Sequence, residues 1–185
     1  MTHKIKQKQL LLKIRLVTLF FMAALIVSGI TAFPIETEFR LLMPFLNIEG
    51  QNPENLNALQ HWLAFVYEGI STTNAQFPFI AYGFDWLAFA HIVIALVFIG
   101  LYREPVRNKW LVSWAMICCI AVVPLALICG AIRQIPFFWQ LLDIAFGVFG
   151  MIPLVYLRKL ILKLEKYEFF QQNNLSNSND NSRAT

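Results

Sequence analysis

Asp85, His91, Arg133 and Asp143 stand inside or at the edge of segments that are otherwise almost free of charge. Two carboxylates, an imidazole and a guanidinium brought together in an apolar medium would hold an ion, a transferable proton or a small polar ligand. Each of them has to find a partner there, since insertion scales put a charged side chain at the bilayer centre at roughly 2.5–3.5 kcal/mol. Counted from Pro136, Asp143 falls roughly 10 Å along a helix, with Asp85 nearer the membrane boundary. Arg133 can reach along its apolar stem towards either carboxylate. His91 follows Asp85 by six positions, which turns the two side chains about 120° apart on one helix, so its partner would be Asp143 on another. The plainer reading of His91 is a ring satisfied by one interhelical hydrogen bond. These four residues are the candidate ligand- or ion-binding site, and no catalytic residue is assigned.

Other constellations are weaker. Haem across a helical bundle needs two axial ligands at matched depth, and His61 lies outside the apolar segments while His3 lies at the far end of the chain, so no cofactor is expected and haem is disfavoured. His61 and Glu68 share a helix face seven residues apart, but two ligands do not make a metal site, and none is assigned. A phosphate-cradling glycine loop, an HExxH pair and a CxxC are all missing from the sequence. Cys118, Cys119 and Cys129 fall in one apolar run and read as packing residues. Glu36, Glu38 and Arg40 could bind a cation or a partner, with a solvated charged rim as the simpler view.

The elements that must position these residues are long apolar helices. With 58% hydrophobic and 14% charged residues, the chain is too apolar for a soluble domain, in which about a quarter of residues are charged. Spans are expected at about 16–35, 82–102, 110–132 and 136–157, each sufficient for about 30 Å of hydrocarbon. The fold class is therefore all-α, a four-transmembrane-helix bundle. Basic residues cluster before the first span (Lys4, Lys6, Lys8, Lys13, Arg15), between the second and third (Arg103, Arg107, Lys109) and after the fourth (Arg158, Lys159, Lys163, Lys166). The positive-inside bias puts all three clusters, and both termini, in the cytoplasm. The candidate site then lies in the outer half of the bilayer. The net charge of +4 is thus a topology signal, with no nucleic acid implied. The first span is longer than a signal-peptide core and no small-x-small site follows it, so a retained anchor is expected rather than a cleaved signal.

Residues 1–15 form a basic cytoplasmic segment, 16–170 the membrane domain, and 171–185 an Asn-, Ser- and Gln-rich cytoplasmic tail expected to be disordered. The outer loop, 36–81, carries the second architectural feature. Asn52 and Pro53 make a helix start, and an amphipathic helix to about Gly69 sets Leu56, Leu59, Leu63, Val66 and Ile70 on one stripe, with a loop from Ser71 to Phe79. Gly130, Arg133 and Pro136 predict a tight hairpin between the third and fourth spans. Small residues four apart, Ala24 with Ser28 and Ala126 with Gly130, allow close helix approach.

Tyr82-Gly83 with Asp85-Trp86-Leu87-Ala88-Phe89-Ala90-His91, Arg103-Glu104-Pro105-Val106-Arg107-Asn108, and Ile135-Pro136-Phe137-Phe138-Trp139 with Asp143 and Phe146-Gly147-Val148-Phe149-Gly150 together resemble a family of small uncharacterised four-span bacterial inner-membrane proteins. The resemblance implies a bacterial inner-membrane location, four helices and a shared polar site, and brings no activity with it. Function is expected to be binding of an ion, proton or small polar ligand in transport or sensing. The alternatives are an accessory subunit of a membrane complex and a membrane redox or lipid enzyme. The expected partners are the lipid bilayer and either a second copy or another membrane protein.

Overall fold

Runs of Leu, Ile, Phe, Val and Ala leave a backbone away from water one local way to satisfy its N–H and C=O groups, the helix. The computed structural model describes the backbone at residues 2–48, 50 and 53–183, and side chains at 5–48, 50 and 54–173. Among these residues the fold is all-α. Its helices are α1 (Thr2–Ala32), α2 (Ile35–Phe45), α3 (Ala58–Gln76), α4 (Tyr82–Arg103), α5 (Lys109–Ile132) and α6 (Phe137–Arg183), with single 3-10 turns at Pro53–Asn55 and Pro78–Ile80.

Four stretches, Ile5–Ala32, Pro78–Arg103, Lys109–Ile132 and Phe137–Asn173, are long and apolar enough to cross a membrane. They leave large apolar side chains uncovered, Ile117 at 64% and Phe146 at 71% exposure among them. A soluble monomer rarely leaves apolar patches of that extent in water, and a bilayer covers them. The chain is an integral membrane protein.

The chain divides into two compact units, 1–22 with 97–185, and 23–96. In the first, segments of all four long helices form a bundle. Phe21 of α1 stacks at 5.0 Å on Phe98 of α4, and the Arg15 guanidinium stands 5.3 Å from the centre of the Tyr102 ring while its Nε donates to the Tyr102 carbonyl. Ile14, Phe98, Leu101, Leu154, Leu157 and Ile161 are fully buried there. Along α5 and α6, Gly147 lets two backbones meet, since a Cβ at this position would lie 2.6 Å from the Cys119 carbonyl oxygen. Pro124 and Pro153 lie inside α5 and α6, and both helices run on through them.

The turn from α4 to α5 is closed by Asn108, whose Nδ2 donates to the Gly100 and Glu104 carbonyls and so satisfies acceptors at the end of α4. The expected hairpin between α5 and α6 is present, and it ends α5 in a Schellman motif. Ile135 N–H donates to Gly130 O and Gln134 N–H to Ala131 O, with Gln134 at φ 55°.

The second unit holds the end of α1, the outer-loop helices and the start of α4. Gly29 brings α1 against α4, a Cβ there falling 2.8 Å from the Ala88 carbonyl oxygen. Sequence reasoning missed α2, which opens after Pro34 with Glu36 and Glu38 in its first turn, where the helix dipole favours anions. It ends in a second Schellman motif, with Asn47 at φ 51° and Ile48 N–H donating to Met43 O. The expected loop helix exists with different ends. Asn52, its expected cap, and Glu49 lie outside the described residues; the helix starts instead at Ala58, where Asn57 and Gln60 form a reciprocal capping box. It runs to Gln76, through residues expected as loop, because Ser71 to Asn74 prolong the stripe of Val66 and Ile70. Met43, Ile48 and Leu63 form the small core beneath α2 and α3.

Helix α6 continues to Arg183, through the residues whose composition predicts disorder. Extending an established helix adds one hydrogen bond per residue fixed, without a new nucleation step.

Gly147→Ala is expected to destabilise the protein by about 1–3 kcal/mol, since backbone has to move to admit the methyl group. Gly83→Ala meets nothing within 4 Å and is expected to be neutral or stabilising by up to about 1 kcal/mol. Thermal unfolding in detergent compares the two, and equal effects would contradict the close approach at Cys119.

Candidate functional site

A cavity of about 550 Å³ opens within the second unit, lined by Phe33, Glu36, Phe65, Ile70, Asn74 and Phe84 among others. Its position follows from local rules. The Pro34 turn brings Glu36 back beside the end of α1, and the spacing of Val66, Gly69, Ile70, Thr73 and Asn74 on α3 puts all five on the facing stripe. Asn74 Nδ2 donates to Glu36 Oε2 across 38 residues of sequence. The pair ties α2 to α3, while Gln60 Nε2 ties the other end of α3 to the Leu46 carbonyl.

The lining of this cavity combines one carboxylate with hydroxyl, amide and aromatic groups. Glu36 is half-buried, and its one side-chain partner is a neutral amide. Among the described residues it makes no ion pair. Thr37 and Thr73 add hydroxyl acceptors, and Phe33, Phe65 and Phe84 add ring faces that attract positive charge. The volume lies within the range of small-molecule sites.

A second, smaller cavity of about 320 Å³ shares Phe33 with the first and is lined by Tyr82, Asp85, Trp86 and Phe89. Tyr82 and Trp86 meet edge to face at 5.9 Å, and Trp86 and Phe89 at 6.1 Å. Asp85 therefore sits in an aromatic frame.

The four residues singled out in the sequence divide between the units, Asp85 and His91 in one, Arg133 and Asp143 in the other. Asp85 and His91 share no hydrogen bond. The ring Nδ1 of His91 is 2.8 Å from the Leu87 carbonyl of its own helix, which satisfies it locally and makes Nδ1 the protonated nitrogen. Arg133 is the exposed C-cap residue of α5 and Asp143 is half-buried on α6, and no ion pair joins them among the described residues. The polar contact that secures their hairpin is made by Gln140, 7% exposed, whose Nε2 donates to the Ile135 carbonyl at 2.7 Å. Gly130 leaves room for that amide, since a Cβ there would lie 2.6 Å from Gln140 Cδ.

Among the described residues no three His, Cys, Asp or Glu side chains gather as metal ligands. His61 and Glu68 are both exposed on α3. Glu36 had been visible in the sequence only as part of a charged rim. Its partner Asn74 and the cavity-lining Thr73 fell in an expected loop, and the signal for them was the continued 3.6-residue stripe beyond Ile70.

Comparison of the chain with models of protein families, with curated proteins and with solved structures finds no match.

Arg133→Gln is expected to change thermal stability by less than about 0.5 kcal/mol. Gln140→Leu removes the donor to a carbonyl in the hairpin turn, with an expected cost of about 1–3 kcal/mol. Unfolding midpoints in one detergent rank the two, and a larger loss for Arg133 would reinstate an ion pair as the hairpin lock.

Proposed function

We propose that this is a multi-pass protein of the bacterial inner membrane, with both termini in the cytoplasm, that binds a small cation at its extracytoplasmic end as the recognition step of transport or sensing. The observation that carries this reading is the cavity around Glu36. A carboxylate held by a neutral amide, without a cationic partner among the described residues, faces a space of ligand size framed by aromatic rings. Asp85 supplies a second carboxylate in the adjoining cavity. The basic residues at 103–109 and 158–166, beside the ends of the apolar spans, support the orientation by the positive-inside bias.

Thermal shift of the purified protein with sodium, calcium and tetramethylammonium chlorides tests the binding. At least one of the three is expected to stabilise the wild type in a saturable way, by about 2.7 kcal/mol at a concentration one hundred times its Kd. Glu36→Gln is expected to abolish the shift and Asp143→Asn to preserve it. No response to any of the three cations, or loss of the response in Asp143→Asn alone, would displace the site from this cavity. A fluorescent protein fused after Thr185 is expected to fluoresce and alkaline phosphatase at the same place to stay inactive; the opposite pair of results would invert the topology.

A docking role for the outer loop is favoured by one observation, the exposure of Leu41 at 61% and Phe45 at 84% on α2. These side chains form an apolar edge suited to a membrane partner or to the lipid surface.

A further inference from the structure

We infer that the protein carries a site for an anionic phospholipid, between α5 and α6 at the basic end of the membrane domain. A cavity of about 350 Å³ there is lined by Lys109, Trp110, Val112, Ser113, Arg158, Ile161 and Leu162. Lys109 and Arg158 bring two cations to its rim. Lys109 is paired with Glu165, which puts these two positions at one level of the antiparallel helices. Arg158, seven residues back along α6, therefore lies roughly 10 Å further towards the membrane than Glu165.

About 20 residues of helix from Phe137 cross the hydrocarbon, which leaves Arg158 at its inner boundary. Among the described residues Arg158 has no carboxylate partner within ion-pair distance. A guanidinium at this depth favours an anion, and among the described residues none pairs with it; the phosphodiester of a lipid is an anion that the surroundings place at that level. The planar fork of arginine fits two phosphate oxygens, Ser113 adds a hydroxyl donor, and Trp110 is of the residue type that settles at headgroup depth.

The acyl chains have a track as well. Trp110, Trp114 and Ile117 follow one another at helical spacing along α5, all exposed, and lead from the cavity towards the membrane interior. A soluble phosphate has no use for such a track, so the occupant is a membrane-anchored phosphate. This inference stands apart from the reading of the Glu36 cavity, which lies in the other unit.

Native mass spectrometry of the full-length protein in detergent, with phosphatidylglycerol or phosphatidylethanolamine added at equal concentration, tests it. Phosphatidylglycerol is expected to be retained in preference, and Arg158→Gln to reduce that preference by about fivefold, the effect of one cation at a membrane surface. Arg158→Lys, which keeps the charge, is expected to retain most of it, and circular dichroism of each variant reports whether the helices are intact. Equal retention of the two lipids by the wild type would overturn the site, as would an unaltered preference in a folded Arg158→Gln variant. Inorganic phosphate is expected not to displace the lipid at millimolar concentration; displacement would mean a free-phosphate site instead.

Discussion

In hydrocarbon a backbone amide finds no water, so the places where a membrane helix stops decide what the chain can do. Each stop here is answered by a specific local partner. At the end of α2, Asn47 takes the left-handed conformation that lets Ile48 reach back to Met43. At the end of α4, the amide of Asn108 covers two carbonyls at once. At the end of α5, Gln134 and Ile135 repeat the reversed turn, and the buried Gln140 occupies the remaining face of the Ile135 carbonyl. None of these positions is charged. Neutral amides do this work because they satisfy carbonyls without the desolvation cost of an ion.

Once the ends are satisfied, association of the helices depends on how closely they can approach, because lipid tails give no hydrophobic drive to pack apolar faces together. Gly29 and Gly147 are points of close approach, each facing a carbonyl oxygen of the neighbouring helix. Around Gly147 this leaves α5 and α6 in direct contact over much of their length. Around Gly29 it sets the face of α4 that carries Ala88 and His91 against the end of α1, so the imidazole lies beside a helix contact and its Nδ1 turns to its own backbone.

The helical type and the number of spans were legible because long uncharged runs admit one conformation, and the hairpin was legible because Gly130 and Pro136 carry strong local preferences. The outer loop was harder. Its α2 helix is eleven residues long with a proline near its end, and neither length nor composition announces it. The cap of α3 was expected at Asn52-Pro53, whereas Asn57 caps it, and the Gln60 that completes the box three residues after Asn57 is the feature that marks it. The site was least legible. Rarity of charge in apolar surroundings drew attention to Asp85, His91, Arg133 and Asp143, whereas the Glu36 to Asn74 contact joins two half-buried polar residues whose proximity is a product of the tertiary fold. Sequence spacing carries no trace of such a pair.

Only Arg133, Gln134, Ile135 and Pro136 separate α5 from α6, a connection too short to let either helix settle in the bilayer while the other waits outside. The two are therefore bound to partition as a single hairpin, the unit whose backbones meet at Gly147 in the folded protein. The guanidinium at its tip is the one full charge in that connection, and the adjoining amides at positions 134 and 140 add no second.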